Sequence, residues 1–221
     1  MKKLMKWIVV MLVSCMALET FAQSVTLKGG LNMADMLITE EGEEVNEEFK
    51  MNPGFHFGIL TEFQLSDGLS FEPGLLLMTK GTRAEEEETY QGIVGKYEAK
   101  INLYYLDIPL NLKLSTDAGS AKIFGTFGPY IGMGLSGKSK FTYSGNGDSE
   151  TEEEDIEWGK DKDLLRLDWG LGAGAGIEFG KLQLGVSYAL GLANIAAESE
   201  DDSGAKNRVL SISVGYKFSG K

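Results

Sequence analysis

Hydrophobic and polar residues alternate along most of the chain with a period of two, which is the pattern of half-buried β-strands. In the segment 104–114, tyrosine, leucine and isoleucine occupy the even positions, whereas Asp107, Asn111 and Lys113 occupy odd positions. Eight segments of this kind occur, and the last of them spans residues 208–218. The pattern predicts eight antiparallel strands, each with one apolar face and one polar face.

The connections between these segments are of two kinds. The short ones are residues 66–68, 115–120 and 180–181, and the long ones are residues 34–51, 81–100, 136–163 and 193–207. Long and short connections alternate strictly, so all long loops lie at one end, as in outer-membrane barrels. The sequence therefore predicts an all-β, eight-stranded antiparallel transmembrane β-barrel with four long outer loops and three short periplasmic turns.

The volume of the barrel interior decides which face points inward. An eight-stranded barrel is just wide enough for side chains to fill, and the apolar faces carry too many large residues to fit there. We therefore expect the apolar face to contact lipid and the polar face to line the lumen. A soluble exported barrel of lipocalin type is the alternative that this volume limit disfavours.

Glycines occupy the polar face of the segment 167–179 at every second position. These residues are Gly170, Gly172, Gly174 and Gly176. We expect them to leave lumen space for larger groups on other strands. The candidates for that space are Arg166, Phe124, Tyr130 and Lys113.

The polar faces also carry charged residues, which predict a network inside the barrel. Its members are Glu62, Glu72, Asp107, Lys113, Arg166, Asp168 and Glu178. Because buried charges need partners and the bore is narrow, we expect these side chains to pair with one another and plug the lumen. A narrow path for small solutes is the alternative.

The N-terminus has the features of an export signal. Lys2, Lys3 and Lys6 precede a short apolar run, and Ala22 ends a candidate cleavage site. This predicts a signal peptide over residues 1–22 and an outer-membrane barrel domain over residues 23–221. Lipidation at Cys15, the only cysteine, is the alternative processing route.

The chain is strongly acidic, with 33 Asp and Glu against 21 Lys and Arg and a formal charge of -12. This charge argues against nucleic acid as a partner. Most of the acids lie in the four long segments, where we expect a solvated, self-repelling surface. Weak divalent cation binding, at roughly 0.1 to 1 mM, is the alternative for one acidic cluster. Its candidate ligands are Glu150, Glu152, Glu153, Glu154 and Asp155. No cofactor motif is present in the sequence, and we predict none.

Catalysis would need a nucleophile near the single histidine, His56. Ser70 follows the turn after His56. Pairing of the two strands places Ser70 about eight residues along the strand from the position opposite the histidine, and each residue adds ~3.3 Å, so the two side chains are too far apart to react together. We therefore predict no catalytic residues and a lumen histidine in a polar network. Pro109 and Pro129 lie within predicted strands, where we expect a bulge or a local break because proline cannot donate to the strand pairing.

Several segments resemble the PorT-like group of Bacteroidetes outer-membrane β-barrel proteins, namely FGPYIGMGL, YYLDIPLNLKL, GLGAGAGIEF and VSYALGLANI. The end of the chain, SVGYKF, is similar to the C-terminal strand signal that the barrel-assembly machinery reads. The resemblance implies an outer-membrane location, contact with lipid, and a surface or periplasmic partner, but no catalytic signature.

Together these features predict a non-enzymatic barrel that acts through its acidic outer loops in surface binding, envelope integrity or adhesion. The resemblance adds the alternative of an accessory to protein secretion, since PorT is linked to the type IX secretion system.

Overall fold

The computed structural model describes residues 24–40, 43–44, 49–90, 93–145, 148–197 and 203–219. The predicted signal peptide and Cys15 lie outside the described residues. The strands in chain order are β1 (Ser24–Glu40), β2 (Glu43–Glu44), β3 (Phe49–Lys50), β4 (Asn52–Ser66), β5 (Leu69–Tyr90), β6 (Ile93–Ala118), β7 (Ala121–Gly145), β8 (Asp148–Asp155), β9 (Leu167–Phe179), β10 (Leu182–Gly191) and β11 (Gly204–Ser219).

Eight of these strands close into a ring. The order is β1-β4-β5-β6-β7-β9-β10-β11, and β11 pairs with β1 from Ser24↔Ser219 to Thr39↔Gly204. All pairings in the ring are antiparallel. The predicted eight-stranded barrel is therefore confirmed. Closure leaves no free edge on the ring, so each of its strands pairs with a neighbour on both sides.

The two ends of the barrel differ. Short turns join β4 to β5, β6 to β7 and β9 to β10, and the first and last described residues lie at the same end, which we call the turn end. Gly68 and Gly180 adopt φ values of 78° and 59° in two of these turns, a region that glycine enters without steric cost. We call the opposite end the hairpin end.

The hairpin end contains more strand than the sequence predicted. Residues 81–100 were expected to form a loop, but they belong to β5 and β6, which pair out to Tyr90↔Ile93. Part of the segment 136–163 likewise forms the outer half of β7 and all of β8. These pairs are mostly polar on both faces, so hydrophobic alternation gives no sign of them. The strands β5, β6 and β7 have 22, 26 and 25 residues, far more than the ~9–11 that cross a membrane.

The outward face of the ring is apolar, as the volume argument predicts. Large hydrophobic side chains are exposed on seven of the eight ring strands and half-buried on β5, and the exposed ones include Leu31 at 69%, Leu114 at 64% and Ile212 at 59%. The alternate positions, such as Asn32, Lys113 and Ser213, are buried inside. The exposed apolar belt is the surface that lipid covers in an outer-membrane barrel.

Pro109 and Pro129 coincide with interruptions of the ladder. Pairing of β5 with β6 stops at Pro73↔Leu110 and resumes at Leu76↔Asp107, and Pro109 lies in the gap. Pairing of β6 with β7 skips the positions between Pro109↔Tyr130 and Leu112↔Phe127, where Pro129 lies. The register is the same on both sides of each gap. The prediction of a local break is confirmed, without a bulge at either proline.

The glycines of β9 make room for aromatic rings from β7. A Cβ atom at Gly176 would lie 2.4 Å from the ring of Phe124, and one at Gly170 would lie 2.8 Å from the ring of Tyr130. Gly172 differs, because the nearest atoms to its Cβ would be carbonyl oxygens 3.8 and 3.9 Å away. The expectation that these glycines accommodate Phe124 and Tyr130 is confirmed, whereas Gly172 faces open space in the lumen.

This difference gives a paired prediction. We expect Gly176→Ala to destabilise the folded barrel by about 1–3 kcal/mol, because the methyl group would overlap both Phe124 and the Leu184 carbonyl oxygen. Gly172→Ala should leave the free energy of unfolding within about 0.5 kcal/mol of the native value. Urea unfolding in lipid vesicles, followed by tryptophan fluorescence, measures both. Equal stability of the two variants would contradict the close packing of Phe124 against Gly176.

Candidate functional site

The lumen contains two clusters of buried charge, and Lys113 is the centre of the one nearer the turn end. Its Nζ atom lies 2.5 Å from Glu178, 3.2 Å from Glu62 and 3.4 Å from Glu72. Lys217 also contacts Glu62 at 2.7 Å and Glu178 at 3.5 Å. We call these five residues the Lys113 cluster. Five strands contribute to it, so ring closure is what brings these charges together.

The second cluster lies further toward the hairpin end and is centred on Lys80. Its ammonium group is 2.8 Å from both Asp107 and Asp168, and its side chain is 1% exposed. The rings of Tyr105 and Tyr130 lie 4.6 and 4.5 Å from the ammonium nitrogen. We call this group the Lys80 cluster. Both carboxylates are buried and have a cationic partner, which is the condition for burying charge.

Asn207 and Tyr130 complete the surroundings of Asp168. The amide of Asn207 donates to the Asp168 carboxylate at 3.0 Å, and the Tyr130 hydroxyl donates to it at 3.2 Å. Asp168 has an exposed fraction of 0%. The structure thus joins a carboxylate on β9 to groups from β5, β7 and β11, which lie far apart in sequence.

Six of the seven residues proposed for the lumen network lie in these two clusters, and Arg166 does not. Its side chain is exposed, its Nη1 atom donates to the Gly134 carbonyl at 2.9 Å, and its guanidinium lies 5.7 Å from the Trp158 ring. Arg166 precedes the first residue of β9, so strand alternation no longer sets its direction. Placing it in the lumen was wrong. The residue that pairs with Asp107 and Asp168 is Lys80. Lys80 lies on the same face of β5 as Glu72, but it comes directly before the segment 81–100, which was expected to be a loop.

His56 belongs to a separate buried network. Its Nδ1 atom lies 2.7 Å from the Asn32 side-chain oxygen, and its Nε2 atom lies 3.1 Å from the Ser213 hydroxyl. Ser211 donates to the same Asn32 oxygen at 2.9 Å. A proton on Nδ1 satisfies both contacts, with Ser213 as the donor to Nε2.

The serine next to His56 was missed in the sequence. Ser70 is remote, as expected, and donates to Glu62. Ser213 approaches from β11, because Gly30 pairs with His56 on one side and with Ser213 on the other. A Cβ atom at Gly30 would lie 2.7 Å from the imidazole, so the histidine reaches Ser213 across a residue without a side chain. Only closure of the ring reveals this contact.

An apolar cluster closes the lumen beyond the Lys80 cluster, at the hairpin end. Its buried members are Met36, Leu103, Tyr105, Ala193 and Ile195, and Ile156, Trp158 and Leu164 pack against them. Tyr105 and Trp158 meet edge to face with ring centres 5.7 Å apart. We call this group the apolar cap. The sequence contains an indication of the apolar cap, since Leu103 and Tyr105 lie on the same face of their strand as the lumen residue Asp107 but are largely apolar.

The described part of the barrel encloses a cavity and a vestibule. A cavity of about 100 Å³ lies between the charge clusters and is lined by Lys28, Glu72, Asp107 and Gly172, among others. A polar vestibule of about 400 Å³ opens at the turn end, with Glu62 and Lys217 among its walls. The Lys113 cluster separates the two spaces, and the apolar cap lies beyond the cavity. The described part of the lumen is therefore filled in layers.

The acidic residues proposed as weak metal ligands lie on β8, outside the lumen. Glu150, Glu152 and Glu154 occupy one face of this strand, while Glu153 and Asp155 occupy the other. Glu153 is paired with Lys138. Within the described ranges, no group of three or more His, Cys, Asp or Glu side chains is arranged to hold a metal ion. The structure does not bring these five residues together as a ligand set.

No helix in the described part of the chain is long and apolar enough to cross a membrane.

Several solved structures are similar to this chain at low sequence identity. Ail, the attachment invasion locus protein of Yersinia pestis, is 19% identical with a TM-score of 0.38, and the match covers 89% of this chain and 99% of that one. OprG from Pseudomonas aeruginosa is 13% identical with a TM-score of 0.41, and the match covers 90% and 97%. Neisserial surface protein A is 15% identical with a TM-score of 0.38, and the match covers 88% and 97%. No curated protein matches the chain.

The family model of the outer membrane protein beta-barrel domain matches residues 21–197, which is most of the chain. The match is to the barrel domain in general, so the PorT-like resemblance stays a prediction. Together with the closed ring of eight strands and its exposed apolar belt, this match shows that the chain belongs to the outer-membrane β-barrel family and is located in the bacterial outer membrane.

Proposed function

We propose that this protein is a non-enzymatic outer-membrane barrel that acts at the cell surface through the structure at its hairpin end. The observation that carries the proposal is the contrast between a filled lumen and an extended outer structure. The strands β5, β6 and β7 continue past the apolar belt and, with β3 and β8, form a sheet that we call the outer sheet (residues 49–50, 83–90, 93–101, 138–145 and 148–155). By the usual orientation of such barrels, this end faces outward.

The contents of the lumen favour this proposal over a narrow solute channel. A solute would have to pass the Lys113 cluster, the Lys80 cluster and the apolar cap in turn. Moving a buried ion pair apart leaves charges without partners, which costs about 3–5 kcal/mol per pair. Filled layers of this kind stabilise a barrel and oppose conduction.

The surroundings of His56 favour a structural role over catalysis. Asn32 accepts from both His56 and Ser211, and its amide donates to the carbonyl oxygens of Phe55 and Thr79 at 3.0 and 3.1 Å. His56, Asn32 and Ser213 are at most 4% exposed. The side-chain nitrogens and oxygen of His56 and Asn32 therefore all have hydrogen-bond partners within the barrel, which is typical of a structural network.

In this proposal the apolar belt contacts outer-membrane lipid, and the barrel-assembly machinery recognises the last strand during insertion. The partner bound at the hairpin end belongs to the cell surface or its surroundings. An accessory role in protein secretion, the PorT-like alternative, would instead place the partner among envelope components.

The test is complementation of a strain that lacks the gene. One variant replaces residues 86–97 and another replaces residues 142–151, each by Asn-Gly, which shortens one hairpin and leaves the barrel strands intact. We expect the full-length protein to restore adhesion and detergent resistance and the shortened variants to fail, although they reach the outer membrane in folded form. Folding is checked by the shift in electrophoretic mobility on heating.

Full complementation by both shortened variants would overturn the proposal. A deletion strain with a secretion defect alone, and with normal adhesion and detergent resistance, would support the PorT-like alternative in its place.

A further inference from the structure

The two faces of the outer sheet differ in how their charges are balanced. On one face, acids and bases from neighbouring strands are paired, and we call it the paired face. Glu85 contacts Lys50 at 2.9 Å and Arg83 at 3.2 Å, and Lys100 contacts Glu98 at 2.8 Å. The hydrogen bond from Lys50 lowers the pKa of the Glu85 carboxyl group. The charges of this face therefore satisfy one another.

The opposite face continues the lumen side of the barrel and is aromatic, and we call it the aromatic face. Directly paired residues share a face, and Tyr97 pairs with Tyr143, with ring centres 5.0 Å apart. The Phe141 ring lies 6.2 Å from the same Tyr97. Phe141 and Tyr143 are 45% and 37% exposed, although both are large hydrophobic groups whose rings lie next to Tyr97.

Acidic side chains border these rings on the aromatic face. Register places Glu150 beside Tyr143 and Glu152 beside Phe141, while Glu86 lies beside Tyr97 on the other side. Glu154 follows on the same face. Among the described residues, none of these four glutamates is within 4.0 Å of a lysine or arginine nitrogen. The aromatic face thus has negative charge that the described residues do not balance with ion pairs.

The chain covers only the lower part of this face. Close to the barrel, Ile156 and Trp158 pack against the buried members of the apolar cap, which include Leu103 and Tyr105. Further out, the aromatic rings have no such cover, which is why they are exposed. The uncovered part is continuous with a surface that the chain itself buries.

A free strand edge borders the aromatic face. Strand β8 pairs with β7 along its whole length, and within the described part of the chain no other strand pairs with it. All eight of its residues are exposed, and six of them are Asp or Glu. An unpaired edge presents a row of backbone N–H and C=O groups to which another extended segment can add.

We propose that the outer sheet binds an extended cationic polypeptide segment, which adds to the edge of β8 as a further strand and places lysine or arginine side chains on the aromatic face. Backbone pairing provides affinity, while the glutamates and the exposed rings select for positive charge through ion pairs and cation–π contacts. This inference rests on the proposed function, since it names the partner class of the same outer sheet.

The experiment uses the full-length protein in lipid nanodiscs and a fluorescent ten-residue peptide of alternating lysine and valine. The comparison peptide has the same sequence but is N-methylated at every peptide bond, so it keeps the charges and cannot pair as a strand. We expect the first peptide to bind and the second to bind at least about tenfold more weakly, and we expect binding to weaken as salt is raised. Equal binding of both peptides would overturn strand addition.

Matched variants separate the two faces of the sheet. The triple change Glu150→Gln, Glu152→Gln, Glu154→Gln on the aromatic face should weaken binding about tenfold. The change Glu87→Gln, Glu98→Gln, Glu153→Gln removes the same charge from the paired face and should weaken binding less than about threefold. Equal losses for the two triple variants would show that net charge alone attracts the peptide, against the proposal.

The rings provide a further check. Phe141→Ala combined with Tyr143→Ala should weaken binding at least about threefold, because both rings contribute contact area and attract cations. Binding equal to that of the native protein would remove the aromatic face from the site.

The outcome is separable from that of the proposed function. If the unmodified peptide fails to bind below about 1 mM while the shortened variants still fail to complement, the partner class is wrong and the proposed function stands. If the shortened variants complement fully, the proposed function fails whatever the peptide does.

Discussion

Replacing Lys113 by methionine should destabilise the folded barrel by about 3–5 kcal/mol, the usual cost of leaving a buried carboxylate, here that of Glu72, without its cation. Lys113 is 1% exposed and contacts Glu62, Glu72 and Glu178. Methionine retains much of the length of the side chain, so the effect measured is loss of charge more than loss of volume. The measurement is urea unfolding of the protein in lipid vesicles, followed by tryptophan fluorescence.

Lys217→Met is the matched control for this prediction. Lys217 contacts Glu62 and Glu178 as well, but its side chain is 21% exposed, and both glutamates keep Lys113 as a partner. We expect a loss of about 1 kcal/mol. Equal losses for the two variants would mean that Lys113 is not the centre of this cluster.

The Lys80 cluster should respond in the same way to loss of its cation. Lys80→Met leaves Asp107 and Asp168, which are 3% and 0% exposed, without their shared partner and should cost about 3–5 kcal/mol. The triple variant Lys80→Met, Asp107→Asn, Asp168→Asn removes the whole charged group. It should recover more than half of this loss, because a neutral group no longer carries uncompensated charge. The measurement is the same unfolding experiment.

A triple variant as unstable as Lys80→Met would contradict this account. It would assign the loss to packing of the lysine side chain between Tyr105 and Tyr130, which lie 4.6 and 4.5 Å from its nitrogen.

Patterns of two-residue period predicted much of this molecule because each barrel strand faces lipid on one side and a polar interior on the other. Glu72, Asp107 and Asp168 alternate with the apolar residues of their strands, and this alternation (parity) was enough to place their carboxylates in the lumen. Parity could not show which cation meets which carboxylate, since Lys80 and Lys113 reach their partners across the bore. It also failed for Arg166, where the strand has not yet begun.

Where both faces of a strand contact water, hydrophobic alternation does not predict the strand. The outer halves of β5, β6 and β7 carry acids, lysines and scattered aromatic residues, and nothing in their alternation marks them as strands. Their pairing depends on cross-strand neighbours such as Tyr97 and Tyr143, which only register brings together. The outer sheet and its two unlike faces therefore emerged only from the structure.

The sequence by itself determined the architecture of this protein: eight strands, an apolar outer face, a charged lumen and long segments at one end. These features follow from local rules, namely the alternation of side chains along a strand and the limited volume inside a narrow barrel. The tertiary structure alone decided the pairing of charges, the His56–Ser213 contact, the apolar cap and the free edge of β8. The first three join residues that are distant in the chain, and their positions depend on the register at which the ring closes, whereas the edge of β8 is free because β7 is its only partner among the described strands.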